Sequence, residues 1–265
     1  MDYLGQILER KGVEVRRRAS YVRARPGALE DPSPGERGAR AIQCLRRGDA
    51  SLPRVIAEVK FRSPSAGVIR ERRPGEGARI ARAYEEGGAA AISVLADGPG
   101  FGGSVLEVRR VARAVSVPVL FKEFVLDPVQ VRFARAAGAS LVLLLVRVLS
   151  DRRLRELISV VREQGMEPVV EAADAAEVDR ALETDATVVG VNARDLKSFR
   201  VDGKAAARCL QVVPEGRVAV YMSGVRAAED LRALAPTRAD AVLVGEALMR
   251  AGDPRAQLER WLGGA

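Results

Sequence analysis

Histidine, aromatic residues and cysteine are absent or scarce in this sequence, and each shortage excludes a class of chemistry. The 265-residue chain has no histidine, so proton transfer falls to Lys, Glu, Asp, Tyr or Cys. Aromatic residues make up only 4% of the chain, so its core must consist of smaller apolar side chains, which suits a parallel sheet covered by helices. Cys44 and Cys209 show no metal-ligand spacing and cannot define a disulfide framework. We therefore expect no metal, and we expect a reducing, cytoplasmic compartment.

Long apolar stretches and a separate basic patch are missing as well. The longest apolar stretch, residues 139–146, is far too short to cross a membrane, and the first residues do not resemble a signal peptide. The net charge is +8, but arginines alternate with acids and no aromatic residues lie among them. A solvated surface is the favoured interpretation, and we expect neither a nucleic-acid nor a membrane partner. A small phosphorylated substrate is compatible with this charge.

Basic residues are common in this sequence, but few of them are lysine. Of the 43 basic residues five are lysine, and two of them, Lys60 and Lys122, end short apolar runs. Arginine stays protonated in proteins, whereas a buried lysine can exchange its proton. A lysine at the end of a strand therefore suggests a role that arginine cannot fill.

Short apolar runs alternate with amphipathic segments eight times along the chain. Strands are predicted at residues 55–60, 89–95, 119–122, 140–146, 167–171, 187–192, 217–222 and 240–245. Helices are predicted at residues 77–86, 104–114, 128–137, 151–164, 173–182, 202–210, 227–234 and 254–262. Eight β–α units predict a single closed (β/α)₈ TIM barrel over residues 51–265. The rival, a doubly wound open sheet, would normally carry a glycine-rich turn after its first strand, and none is present.

Residues 1–50 precede the first predicted strand. They contain helical patterns at residues 3–19 and 39–47, separated by a segment rich in Pro and Gly. This part is too short and too charged for a core of its own. We therefore predict a helical extension packed on the barrel.

Charged and polar residues gather at the predicted strand ends, which form the working face of such a barrel. These residues are Glu58, Lys60, Lys122, Glu171 and Asn192. A single Glu–Lys pair would favour a structural role, as an ion pair filling the barrel centre. Burying four such charges is costly, however, and such groups tend to occur where a reaction needs them. We therefore predict a catalytic set.

Three further features lie near the same face. Ser223 and Gly224 after the seventh predicted strand, with Gly245 and Glu246 after the eighth, stand where such barrels bind phosphate. The loop at residues 61–67 has the small residues of a mobile loop, although an ordinary connection is the alternative. Apolar side chains predict either a pocket for a flat aromatic ring or plain core: Leu95, Phe101, Phe124, Leu143 and Leu196.

The order of these motifs resembles the indole-3-glycerol phosphate synthase family. The matching segments are IAEVK (56–60), SPS (63–65), FGGS (101–104), KEF (122–124), Glu171, NARDL (192–196), SGV (223–225) and VGEALMR (244–250). The resemblance implies ring closure of 1-(2-carboxyphenylamino)-1-deoxyribulose 5-phosphate, with loss of carbon dioxide and water, in tryptophan biosynthesis. It also implies that no metal or organic cofactor is needed.

The resemblance further implies a role for each site residue. Lys122 would be the general acid and Glu171 the general base, with Lys60 and Glu58 assisting proton transfer and dehydration. Asn192 would orient hydroxyl groups. Anionic groups of the substrate would be bound by Ser63 and Arg194, and its phosphate by Ser223, Gly224 and Gly245.

The chain departs from the family pattern at three positions. Met222 stands where the family usually has Glu, Glu123 where it usually has Asp, and Ala96 where it commonly has Thr. The loss of a carboxylate at Met222 leaves two alternatives open beside the ordinary synthase. One is a specialised-pathway homologue acting on a modified anthranilate, and the other is a catalytically weak or silent phosphate-binding relative. A Schiff-base aldolase using Lys122 or Lys60 is a further possibility. A monomer and a homodimer are both compatible with the sequence.

Overall fold

The eight predicted β–α units form a closed barrel of parallel strands, as expected. The computed structural model describes residues 3–25, 27–29, 35, 37–195 and 199–263. Its strands are β1 (Arg54–Val59), β2 (Arg62–Ser63), β3 (Gly67–Val68), β4 (Ala91–Leu95), β5 (Val119–Lys122), β6 (Leu141–Leu145), β7 (Glu167–Ala172), β8 (Val188–Asn192), β9 (Val218–Met222) and β10 (Ala241–Val244). The barrel order is β1-β10-β9-β8-β7-β6-β5-β4, and β1 closes the ring by pairing with both β4 and β10. The carboxyl ends of all eight barrel strands therefore meet at one rim.

Helices alternate with these strands and cover the barrel. They are α1 (Tyr3–Ala24), α2 (Arg37–Leu45), α3 (Glu76–Glu86), α4 (Gly98–Phe101), α5 (Val105–Ala112), α6 (Pro128–Ala136), α7 (Asp151–Glu163), α8 (Ala175–Leu182), α9 (Gly203–Gln211), α10 (Ala228–Ala233), α11 (Glu246–Arg250) and α12 (Pro254–Leu262), with a 3₁₀ turn at Val146–Val148. Among the residues described, no helix combines the length and the apolar character that a membrane span requires.

Polar side chains set the starts of several helices. Ser104, Asp174 and Asp202 each lie just before a helix and accept a hydrogen bond from a backbone N–H of its first turn. Such a cap keeps its own backbone outside the helix while satisfying a free donor. These helices therefore begin one or two residues after the predicted positions.

The sequence pattern misplaced or missed several elements. Helix α1 continues to Ala24 instead of ending at residue 19, and Tyr21 in the added turn lies against the Phe133 ring of α6. The β2–β3 hairpin and the short helix α4 were not predicted, whereas a helix opening after Gly245 was predicted and is α11. Elements of two to five residues are too short to show a period.

Two apolar layers hold the barrel together. One lies between the strands and the surrounding helices and includes Tyr84, Phe121 and Trp261. The other fills the barrel interior and includes Ile56 and Leu120. Because both faces of each strand are buried, the sequence of each strand is a nearly continuous run of apolar residues.

The second helix of the extension closes the amino-terminal end of the barrel. Ala41 and Leu45 of α2 are fully buried in the interior layer. Gly38 permits this close approach, since a Cβ atom there would lie 2.8 Å from the backbone carbon of Met166. Its N–H donates a hydrogen bond to the Gly165 carbonyl at 3.0 Å. The contacts support the proposal that the extension is part of the barrel's own packing.

Leu45→Ala tests whether α2 stabilises the barrel from below. Removing a fully buried leucine side chain leaves a cavity, so we expect the free energy of unfolding to fall by about 2–5 kcal/mol. Urea unfolding followed by circular dichroism measures the change. Leu106→Ala is the matched control, because Leu106 is 53% exposed. Equal stability of the two variants would contradict a stabilising role for α2.

Candidate active site

Glu58 and Lys60 form an ion pair at the end of β1. Residues two apart on a strand point to the same side, and Lys60 Nζ donates a hydrogen bond to Glu58 Oε1 at 2.6 Å. The second carboxylate oxygen accepts a hydrogen bond from Ser93 Oγ at 3.2 Å. A Cβ atom on Gly245 would lie 2.7 Å from Glu58 Oε1. A larger residue at position 245 would therefore push the ends of both side chains out of this position.

Lys122 and Glu171 form a second pair across the barrel mouth. Lys122 Nζ donates to Glu171 Oε2 at 3.0 Å. Asn192 Nδ2 donates to Glu171 Oε1 at 2.8 Å, and Asn192 Oδ1 accepts from the Arg194 backbone N–H at 3.0 Å. The orientation of the amide is thereby set, and it holds the carboxylate in place.

The two pairs influence each other electrostatically. Burial alone would raise the pKa of Glu58, but the Lys60 and Lys122 ammonium groups outweigh it and lower that pKa below its ordinary value. Burial alone would lower the pKa of Lys122, but Glu171 and Glu58 outweigh it and raise that pKa. These charges therefore keep Lys122 as a charged ammonium beside an ionised Glu58.

A cavity of about 640 Å³ opens at this rim. The predicted site residues that line it are Glu58, Lys60, Ser63, Lys122, Glu171, Asn192, Arg194, Ser223, Gly224, Gly245 and Glu246. Its volume suits a molecule of the size of a sugar phosphate joined to an aromatic ring. Barrel closure thus brings residues nearly 190 positions apart in the chain around one cavity.

One wall of the cavity is apolar. The Phe101 and Phe124 rings lie with centroids 6.3 Å apart and planes inclined at 39°, a common geometry for interacting aromatic pairs. Leu95 and Leu143 continue this wall, and Leu196 lies outside the described residues. The wall gives a flat aromatic group a surface to pack against.

The loop after β9 has an unusual backbone. Ser223 has φ of 69° and Gly224 has φ of 92°. Positive φ is uncommon for a serine and tends to occur at functional sites. After the neighbouring strand β10, the Glu246 side chain pairs with Arg250 at 3.0 Å, so the Glu246 backbone is the part that can contact an anion.

Met222 lies in the barrel interior and not on the cavity wall. It is fully buried, and its register partners on the neighbouring strands are Asn192 and Leu243. Its side chain covers Gly190, where an added Cβ atom would lie 2.6 Å from Met222 Cε. The methionine therefore makes an apolar patch next to a polar ring of strand ends.

Several residues that line the cavity were not among the predicted site residues. Asp97, Glu123, Phe199, Arg226 and Arg250 also line the cavity. Glu123 directly follows Lys122, so the next residue after a suspected catalytic lysine was a usable signal. The others lie in loops and short helices that have no periodic pattern.

Comparison with known proteins agrees with the motifs. The sequence model of the family "Indole-3-glycerol phosphate synthase" matches residues 8–261. "Indole-3-glycerol phosphate synthase 2" of Streptomyces coelicolor is 45% identical over 260 residues, covering 98% of each chain. "Indole-3-glycerol phosphate synthase" of Parafrankia sp. is 44% identical, covering 96% of this chain and 93% of that protein.

Solved structures of other barrels share the fold. The 3-hexulose-6-phosphate synthase from Salmonella typhimurium superposes with a TM-score of 0.61 at 17% identity, covering 79% of this chain and 96% of that one. Such low identity supports the fold alone. The family match supports more than the fold, because it covers nearly the whole chain and includes the strand ends that hold both ion pairs. On this match the chain belongs to the indole-3-glycerol phosphate synthase family.

Proposed function

We propose that the protein closes the indole ring of 1-(2-carboxyphenylamino)-1-deoxyribulose 5-phosphate, releasing carbon dioxide and water to give indole-3-glycerol phosphate for tryptophan biosynthesis. The observation that carries the proposal is the convergence of two ammonium–carboxylate pairs beside an aromatic wall in a member of this family. The reaction needs an acid, a base and a surface for an aromatic ring. It needs no redox partner, since no electrons are gained or lost overall.

Ring closure is assigned to Lys122. As the ring carbon that bears the carboxylate attacks the ribulose carbonyl, a new carbon–carbon bond forms and the carbonyl oxygen takes a proton from the Lys122 ammonium. Loss of carbon dioxide from the same ring carbon leaves its bonding electrons in the ring and restores aromaticity. Glu171 and Glu58 raise the pKa of Lys122 against burial, so Lys122 is protonated before the reaction. The same shift makes it a weaker acid, and the proton moves only as the carbonyl oxygen gains negative charge beside it.

Dehydration is assigned to the two carboxylates and Lys60. Glu171, held by Asn192 at 2.8 Å, removes a proton from the ring-closed intermediate. The hydroxyl formed in the first step leaves as water after it receives a proton from Lys60, whose charge Glu58 supports at 2.6 Å. The electron pair left by the removed proton forms the indole double bond.

The remaining residues are assigned to binding. We place the phosphate at Ser223, Gly224 and Gly245, and the other anionic and hydroxyl groups at Ser63, Arg194 and Asn192. The Glu246 backbone belongs to the phosphate site, and its carboxylate does not. Leu95, Phe101, Phe124 and Leu143 pack against the aromatic ring.

Turnover of the standard substrate tests this proposal directly. Purified protein is mixed with 1-(2-carboxyphenylamino)-1-deoxyribulose 5-phosphate, and indole formation is followed by fluorescence. We expect indole fluorescence to rise in proportion to enzyme concentration. Binding of the substrate without turnover would contradict the proposal and favour the silent, phosphate-binding alternative.

Substitutions of Lys122 separate proton donation from charge. Lys122→Met removes the acid while keeping much of the volume, so we expect kcat to fall roughly 10²–10⁴-fold. Lys122→Arg should lose nearly as much, because guanidinium is bulkier and a poor proton donor at neutral pH. Lys204→Met is the control, since Lys204 is exposed on α9. Near-normal kcat in Lys122→Arg would contradict the acid role and leave only charge stabilisation.

A Schiff-base aldolase is less well supported. Such an enzyme needs a neutral amine as nucleophile, whereas the carboxylates around Lys122 favour its ammonium form. Borohydride trapping of a lysine–carbonyl adduct is the observation that would favour it.

The altered-substrate alternative depends on Met222. A thioether accepts hydrogen bonds only weakly, and its register partner Asn192 belongs to the proposed site. We expect Met222→Glu to lower the free energy of unfolding, because the new carboxylate is buried. A rise in kcat/KM for the standard substrate would mean that the site has moved away from the family's usual reaction. Met222→Gln is the control of similar size without charge.

The other outcomes of this substitution distinguish the alternatives. Unchanged kcat/KM in Met222→Glu would mean that the methionine is neutral for the ordinary reaction. A fall that exceeds the fall in Met222→Gln would mean that the site is organised around an apolar group. The modified-anthranilate substrate would then become the favoured one.

Location and assembly are part of the proposal. We place the enzyme in the cytoplasm, which the unpaired Cys44 and Cys209 support. A small phosphorylated molecule is the expected partner. A monomer and a homodimer both remain compatible with the single-chain site.

A further inference from the structure

Helix α1 carries a buried lysine that the proposed reaction does not use. The Lys11 side chain has no solvent exposure, although α1 belongs to the extension that precedes the barrel. Its Nζ lies 2.8 Å from Glu14 of its own helix, 2.9 Å from Asp97 and 2.8 Å from Glu123. Asp97 follows β4, and Glu123 follows β5. One ammonium group thus joins the extension to two neighbouring loops of the barrel mouth.

The ammonium group suits this position better than a guanidinium. It has three N–H donors on one compact atom, and three carboxylates surround it within hydrogen-bond distance. A planar guanidinium spreads its donors over a fork. This difference explains why an arginine-rich chain has lysine here.

Each of the two loop carboxylates also holds the backbone that presents an aromatic ring. Asp97 caps α4 by accepting a hydrogen bond from the Gly100 N–H at 2.8 Å, and α4 ends at Phe101. Glu123 accepts a hydrogen bond from the Phe124 N–H at 2.8 Å. Phe101 and Phe124 contact each other and line the cavity. Lys11 is therefore connected to Phe101 through Asp97 and to Phe124 through Glu123.

The surrounding acids and bases are equal in number, although burial raises the pKa of Glu123 above its ordinary value and Lys11 offsets this only in part. The acids Glu14, Asp97 and Glu123 face the bases Lys11, Arg10 and Arg18. Burial alone would lower the pKa of Lys11, but Glu123, Glu14 and Asp97 outweigh it and raise that pKa. Lys11 is therefore held in its charged form, which it needs in order to form ion pairs with the carboxylates.

We propose that Lys11 is a positioning residue that sets the Phe101–Phe124 wall and thereby the binding of the substrate's aromatic end. It acts through Asp97 and Glu123, since the cavity-lining residues that the structure describes all lie at or beyond residue 58. The identity of the aromatic ligand rests on the proposed function. The effect of Lys11 on the positions of the Phe101 and Phe124 rings does not depend on the proposed function.

Fluorine NMR tests the position of the rings without any substrate. The chain has six phenylalanines, so labelling with 4-fluorophenylalanine gives few resonances, and Phe101→Leu and Phe124→Leu assign the two of interest. We expect both resonances to shift in Lys11→Met and to stay unchanged in Arg17→Met. Arg17 is an exposed cation on the same helix. Unchanged Phe101 and Phe124 resonances in a folded Lys11→Met protein would overturn the proposal.

A double variant separates positioning from simple charge compensation. Lys11→Met leaves one acid in excess, so we expect it to lower the stability of the protein. The double variant Lys11→Met/Glu123→Gln again has equal numbers of acids and bases, but it lacks the ion pairs that Lys11 makes. We expect the double variant to regain thermal stability while its two resonances remain displaced, with Glu123→Gln alone as reference. Recovery of the wild-type resonances in the double variant would show that Lys11 only neutralises charge, and the proposal would fail. If Lys11→Met does not fold, the double variant and its reference decide the question.

Kinetics extend the test to the substrate. Misplacing a binding wall can cost on the order of 10²-fold in kcat/KM, and we expect most of that loss to appear in KM, since Lys122 and Glu171 keep their own contacts. A loss confined to kcat would contradict a role in aromatic binding. If the wild-type protein does not turn over the standard substrate, the proposed function fails, while the fluorine resonances still decide the role of Lys11.

Discussion

Compensation of buried charge is the constraint on which the working end of this barrel depends. An ionised group taken out of water is costly unless opposite charges and hydrogen bonds surround it. Glu58 is paired with Lys60, Glu171 with Lys122, and Glu123 with Lys11. In the last two pairs the partners come from different elements of the chain, so satisfying those charges also sets the relative positions of these elements.

The same compensation connects stability to chemistry. The ammonium groups keep Glu58 ionised, and the carboxylates keep Lys122 protonated, in each case against burial. A site prepared in this way does not need histidine, because the lysine already holds the proton that ring closure requires. The arrangement also accounts for lysine at positions 11 and 122, where a compact ammonium lies among two or more carboxylates.

Much of the candidate site could be predicted from the sequence, because barrel topology converts chain order into position. Once eight strands were recognised, Lys60, Lys122, Glu171 and Asn192 had to lie on one rim, and the structure brings them around one cavity. Met222 shows the limit of this reasoning. Its place at the end of β9 was predictable, but its burial beneath the cavity depends on how its side chain packs over Gly190.

Sequence alone determined the barrel, the strand ends and the lysine–carboxylate inventory, because periodicity and residue type are local properties. Tertiary structure decided the pairing of those charges, the short helix that carries Phe101, and the insertion of Lys11 between Asp97 and Glu123. Lys11 lies 86 and 112 positions from these two partners, in an extension whose own pattern indicates only a helix. Contacts of that range arise from the packing of α1 on the closed barrel, and no period in the sequence records them.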